Sequence, residues 1–148
     1  MKKIIIALAV LFLVGCVTVK VPKYLHEDFP YRKDFAADFD QTFTATSRAL
    51  RELGWKITET TSPSAFDPTK ADAKHQLLIF TEIRQTPLLL ASTYASLNAY
   101  LREIDPEHTQ VEIRYLSVLP LPFKNISIYQ NDALIHKIFT RIEKNLKP

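Results

Sequence analysis

A four-residue turn, Asp105-Pro106-Glu107-His108, separates two alternating stretches, and no other feature limits the fold of this chain so narrowly. Asp at the first position and Pro at the second favour a β-turn, because Pro presets φ and Asp bonds back to the turn's own amides. After the turn, Val111, Ile113 and Tyr115 alternate with Glu112 and Arg114, the pattern of a half-buried strand. Before it, Ala95, Leu97, Ala99 and Leu101 alternate with Ser96, Asn98 and Tyr100. Leu90, Tyr94, Leu97, Leu101 and Ile104 also stand at helical spacing, so this run is readable either way. The turn beside it favours a strand over 93–104 and hence a hairpin. Matching the apolar faces sets Leu101 opposite Ile113 and Ala99 opposite Tyr115, with Arg102–Glu112 and Tyr100–Arg114 as outward pairs. That register needs an odd-length turn or a bulge. A clean two-residue loop would put the apolar sets on opposite faces.

Two helices flank this hairpin in sequence. Asp38 is placed to cap a helix over about 39–53, with Gln41 three residues later as a capping box. Its stripe is Phe39, Phe43, Thr46, Leu50 and Leu53, and Gly54 stops it. Trp55, Ile57 and Glu59 then alternate with Lys56, Thr58 and Thr60 as a returning strand. A loop over 61–74 leads to a second strand at 76–83, where Leu77 and Ile79 face one side and Leu78 and Phe80 the other. Pro120 and Pro122 end the strand after the turn, so Leu119–Phe123 either caps the core or forms an exposed contact loop. Residues 126–129 suit a short edge segment. Asn131 or Asp132 then caps a last helix to about Leu146, with Ile135, Ile138, Phe139, Ile142 and Leu146 as its stripe. Its late basic residues, Lys137, Arg141 and Lys144, suit the helix dipole as a solvated face. The expected fold is therefore α+β: a two-layer sandwich with an antiparallel sheet of three or four strands. An N-terminal and a C-terminal helix pack on one face and leave the other more polar.

The N-terminus has a separate logic. Lys2 and Lys3 precede the apolar run Ile4–Val14, which is shorter than the roughly 20 residues needed to cross a bilayer. A basic start, a short apolar run and a small residue are the parts of a signal peptide. The one cysteine of the chain follows directly, in Leu13-Val14-Gly15-Cys16. This motif resembles the signal of bacterial lipoproteins. The resemblance covers residues 1–17. It implies that Cys16 receives a diacylglyceryl group, that the leader is cleaved, and that Cys16 becomes an acylated N-terminus. Two or more acyl chains anchor a protein firmly, where one is marginal. In Gram-negative members an Asp after the cysteine retains the protein in the inner membrane. Val17 stands there instead, which implies the periplasmic face of the outer membrane.

The expected layout is a cleaved signal peptide over 1–15, a lipid-anchored tether over 16–33 and a single α+β domain over 34–148. Pro22 and Pro30 interrupt regular structure in the tether. As a coil it spans roughly 20–25 Å on average. Tyr24, Phe29 and Tyr31 make it a docking arm or a segment packed on its own domain. Removing Lys2 and Lys3 leaves 17 of the 19 basic residues against 16 acidic ones, a formal charge of +1. No nucleic-acid footprint follows from that balance. With Cys16 acylated there is no disulfide, and the fold must hold by packing.

Sites for chemistry are sparse. No Gly-x-Ser-x-Gly elbow is present, and Gly54 as the one glycine of the mature chain gives no phosphate loop. His26, His75, His108 and His136 are scattered without metal-ligand spacing, so no metal, catalytic residue or cofactor beyond the lipid on Cys16 is expected. The acidic pairs Glu27–Asp28 and Asp38–Asp40 are the kind that cap or stay solvated. The expected function is a binding or scaffolding module for an envelope protein partner. Tyr94, Tyr100, Arg102 and Arg114 on the open sheet face are its candidate contact residues, since Tyr and Arg anchor interfaces. Ordinary cross-strand pairing accounts for the same residues equally well. The alternative is a carrier of a lipid or other apolar ligand, with a lined cavity between helices and sheet. An enzyme ranks third.

Overall fold

A computed structural model describes residues 19–26, 30–66, 75–88, 91–121 and 124–147. The signal peptide and Cys16, the Glu27–Asp28 pair, Phe29, most of the 61–74 loop, Leu90, and Pro122 with Phe123 lie outside the described residues.

The two stretches about the proline turn form the longest strands, β5 (Ser92–Asp105) and β6 (His108–Leu121). Around them stand β1 (Tyr31–Phe35), β2 (Ile57–Thr61), β3 (Gln76–Thr81), β4 (Arg84–Pro87) and β7 (Lys124–Ile128). All pairings are antiparallel, in the order β1-β6-β5-β3-β2, with β4 on β5 and β7 on β6. The fold is α+β, but the sheet has seven strands rather than three or four. The additional strands are β1, β4 and β7, all short. β1 keeps the alternation of a strand, with Phe35 buried and Arg32 exposed, but it begins at Tyr31, within the segment read as a tether, and runs two residues past its end. β4 and β7 are exposed at every residue, so they carry no burial pattern.

Helix α1 (Phe39–Glu52) begins at Asp38, whose carboxylate accepts the Gln41 amide at 2.8 Å, and stops at Gly54 with φ +79°. Helix α2 (Asp132–Leu146) begins at Asn131, whose side chain accepts the Leu134 amide at 3.1 Å. The two helices run antiparallel. Asn145 donates to the Ala45 carbonyl at 3.4 Å, and Arg141 meets Glu52 at 3.3 Å. Both cover one face of the sheet. Ala45, Ala49, Leu50, Ile135, Ile138, Phe139 and Ile142 pack there against Ile79, Leu97, Ala99, Leu101, Val111 and Ile113.

The hairpin register differs from the expected one by two residues. Leu101 faces Val111, Ala99 faces Ile113 and Leu97 faces Tyr115. The outward pairs are therefore Tyr100–Glu112, Arg102–Gln110 and Asn98–Arg114. The turn itself holds only Pro106 and Glu107, with Asp105 accepting from the Glu107 amide at 2.9 Å. A register shift between Glu103 and Asp105 supplies the bulge that a two-residue turn requires. Both registers place the apolar set on the helix side, so alternation alone does not separate them.

Candidate functional site: a strapped sheet face and an open ribbon

The sheet face away from the helices carries the even-numbered residues of β5 and β6. Ser96, Asn98, Tyr100, Glu112 and Arg114 all lie on it, and all are buried. Residues 19–26 cover them. Leu25 is 1 % exposed and packs with Leu116 and Val118, joined by Val19 and Val21. Tyr24 stacks on Phe66 with ring centroids 5.5 Å apart, beside Leu78, Phe80 and Tyr100. We call residues 19–26 the strap.

Polar side chains grip the main chain of the strap. Asn98 accepts from the Leu25 amide at 2.8 Å and donates to the Lys23 carbonyl at 3.1 Å, so one side-chain amide satisfies two strap groups. Arg114 donates to the Leu25 carbonyl at 2.9 Å and lies 5.2 Å from the Tyr24 ring centre. Glu112 accepts from Arg114 Nε at 2.7 Å and from Arg32 Nε at 2.9 Å. Burial works against the Arg114 charge, but bonds to Glu112 and Tyr24 outweigh it and hold its pKa above the ordinary value. Burial raises the Tyr100 phenol above its usual range, and it donates to Gln76. Lys23 closes the strap's outer side against Glu59 and the Phe80 ring.

The four candidate contact residues do not form one surface. Tyr100 and Arg114 are each 6 % exposed beneath or beside the strap. Arg102 is exposed and donates to Gln110 at 3.1 Å, and Gln110 donates to Asp34 at 2.8 Å. Tyr94 is half-buried at the other end of β5, between Gln85 and Val118. Sequence reasoning placed Asn98 among ordinary outward residues and missed its grip on the strap. The available signal was the spacing of Val19, Val21 and Leu25, apolar residues with no reason to be so in a solvated linker.

At the Tyr94 end the sheet outruns the helices. There β4, β5, β6 and β7 form a four-stranded ribbon. Its helix-side face ends in cover at Trp55, which meets Tyr115 edge-on at 6.5 Å and carries Arg84 over its ring at 4.9 Å. Beyond that point Ile126, Ile128 and Tyr129 are exposed, as is Leu88 after β4. Ile126 pairs with Leu119 and Ile128 with Ser117, which places both isoleucines on the helix side of the sheet.

Two further concavities are wide open. A groove of about 370 Å³ on the outer side of the helices is lined by Asp40, Gln41, Thr44, Ala45, Arg48, Asn145 and Leu146. A second, of about 330 Å³, lies where Ala37, Asp38 and Gln41 meet Pro106, Glu107 and His108. Among the described residues no three His, Cys, Asp or Glu side chains gather as a metal site, and no helix is long and apolar enough to cross a membrane. No protein-family model matches the sequence, and no curated protein is significantly similar to it.

Proposed function

We propose that this chain is an envelope lipoprotein, anchored through acylated Cys16 to the periplasmic face of the outer membrane, and that it serves there as a binding or scaffolding module. The observation that carries the reading is the strap. Residues 19–26 are bonded to the sheet through Asn98 and Arg114, so only residues 17 and 18 separate Cys16 from chain already seated on the domain. Three residue steps reach at most about 10 Å. An anchor at Cys16 then holds the domain at the bilayer surface, where a rigid module presents fixed surfaces to a neighbour. The partner-facing end is the one remote from the strap's start, with the exposed row Arg102–Gln110–Asp34. The carrier reading is weaker, because Ala49, Leu50, Ile79, Leu97, Ala99 and Ile138 fill the layer between helices and sheet.

Two measurements test this. Mass spectrometry of the mature N-terminal peptide reads acylation directly, and an unmodified Cys16 contradicts the anchor. A photo-cross-linker at Arg102 in cells, on the full-length protein, reads the partner. A reproducible envelope-protein adduct supports the module, and its consistent absence contradicts it.

A further inference from the structure

Resting on the anchor proposed above, we infer that the open end of the β4-β5-β6-β7 ribbon is a lipid-contact surface, which lies in the interface of the same bilayer that holds Cys16. Three observations converge on this end of the molecule.

The first is where the anchor arrives. Val19 and Val21 pack with Leu116 and Val118, at the base of the ribbon. Cys16 is three residues from Val19, hence at most about 10 Å away along the chain. Val118 is itself three residues from the end of β6 at Leu121, again about 10 Å in a strand. The acyl chains therefore enter the bilayer beside this ribbon and far from the proline turn, which lies about 45 Å away at the other end of β5 and β6.

The second is apolar exposure. Leu88, Ile126, Ile128 and Tyr129 at this end are 37–51 % exposed, four of the six large apolar side chains so exposed among the described residues. On the short edge strand β7, Ile126 and Ile128 are both exposed on one face. A Tyr beside aliphatic residues suits the interfacial layer of a membrane, where its ring and hydroxyl meet different surroundings.

The third is charge. Residues 83–101 and 113–131 build the ribbon and its approaches, and neither stretch contains a single Asp or Glu, although the chain has 16. Glu82, Glu112 and Asp132 stand just outside them. The cations Arg84 and Lys124 remain at the surface, Arg114 is buried beneath the strap, and Lys20 is exposed at the strap's start. A surface without carboxylates and with a few cations is complementary to anionic phospholipid headgroups.

The test uses the full-length lipidated protein, its N-terminal acylation checked by mass, in vesicles of phosphatidylethanolamine and phosphatidylglycerol doped with nitroxide-bearing lipid. An environment-sensitive fluorophore is attached at Ile128→Cys or, in a separate sample, at Glu107→Cys beside the proline turn. Both positions are exposed, so the fold is not at stake. The expected result is blue-shifted emission and several-fold stronger quenching at 128 than at 107. Equal, weak quenching at both positions in acylated protein overturns the lipid-contact surface while the anchor stands. A disulfide or cross-link between two copies through position 128, in place of quenching, overturns it in favour of self-association. An unacylated N-terminus overturns the anchor and this inference together.

Discussion

The two faces of the sheet are closed by opposite means. On the helix side, Leu97, Ala99, Leu101, Val111 and Ile113 meet the apolar stripes of α1 and α2, and shape with dehydration suffices. On the other side the same two strands present Asn98, Glu112 and Arg114, and an extended segment closes them through its backbone. Apolar burial tolerates many partners of similar size. A buried amide and a buried ion pair tolerate few, because each unmatched group costs about 1–3 kcal/mol. The helix face is therefore held by non-directional apolar burial. The strap face fixes where the N-terminal chain lies, and with it where an anchor at Cys16 is held.

This contrast can be broken at several points. The largest effect is expected at Arg114. Arg114→Ala removes the Leu25 carbonyl's donor and one of two arginines at the buried Glu112 carboxylate. Truncating one side of a buried pair costs about 3–5 kcal/mol, read by chemical denaturation. On the helix face, Leu50→Ala leaves a void in a residue with no exposed surface, for about 2–5 kcal/mol of stability, without loosening the strap. Asn98→Ala should cost less, about 1–3 kcal/mol, but act locally. It frees the Leu25 amide and the Lys23 carbonyl, so exchange at the Leu25 amide should accelerate far more than exchange at Val111. The smallest effect is a pH dependence at Tyr100. Its phenol is raised above the ordinary value of 10.0, chiefly by burial. Folding thus favours the protonated form. Its contribution is complete below pH 10 and is lost as pH rises through the folded value. Denaturation at pH 9 and 11 should show an alkaline loss that Tyr100→Phe reduces.

Legibility in the sequence follows the range of the interactions. Both helices were readable because Asp38 and Asn131 cap locally, Gly54 stops locally, and the stripes recur within one element. The β5–β6 pair was readable from alternation and the proline turn. Its register was not, since Ile104 can be absorbed as a bulge without moving an apolar side chain off its face. β7 was legible as a short edge segment at 126–129, whereas β4 escaped because an edge strand needs no hydrophobic pattern, only a neighbour's free backbone groups. That residues 19–26 pack on their own domain was one of two readings of the segment, but the side chains that hold it were not legible. Asn98 and Arg114 bind the main chain of residues more than 70 positions away, so only the apolar Val19, Val21 and Leu25, and not the groups that hold them, mark the segment in the sequence. Tyr100 and Arg114 were therefore read as open contact residues, whereas they lie 6 % exposed at the strap.

The central claim is that residues 19–26 belong to the domain and do not form a free linker. Native-state hydrogen exchange of the Leu25 amide in the full-length protein tests it most directly. Protection of the same order as that of the β6 amides beneath it is expected. Exchange at the rate of an unstructured chain would contradict the strap, and with it the short, fixed path from Cys16 to the sheet.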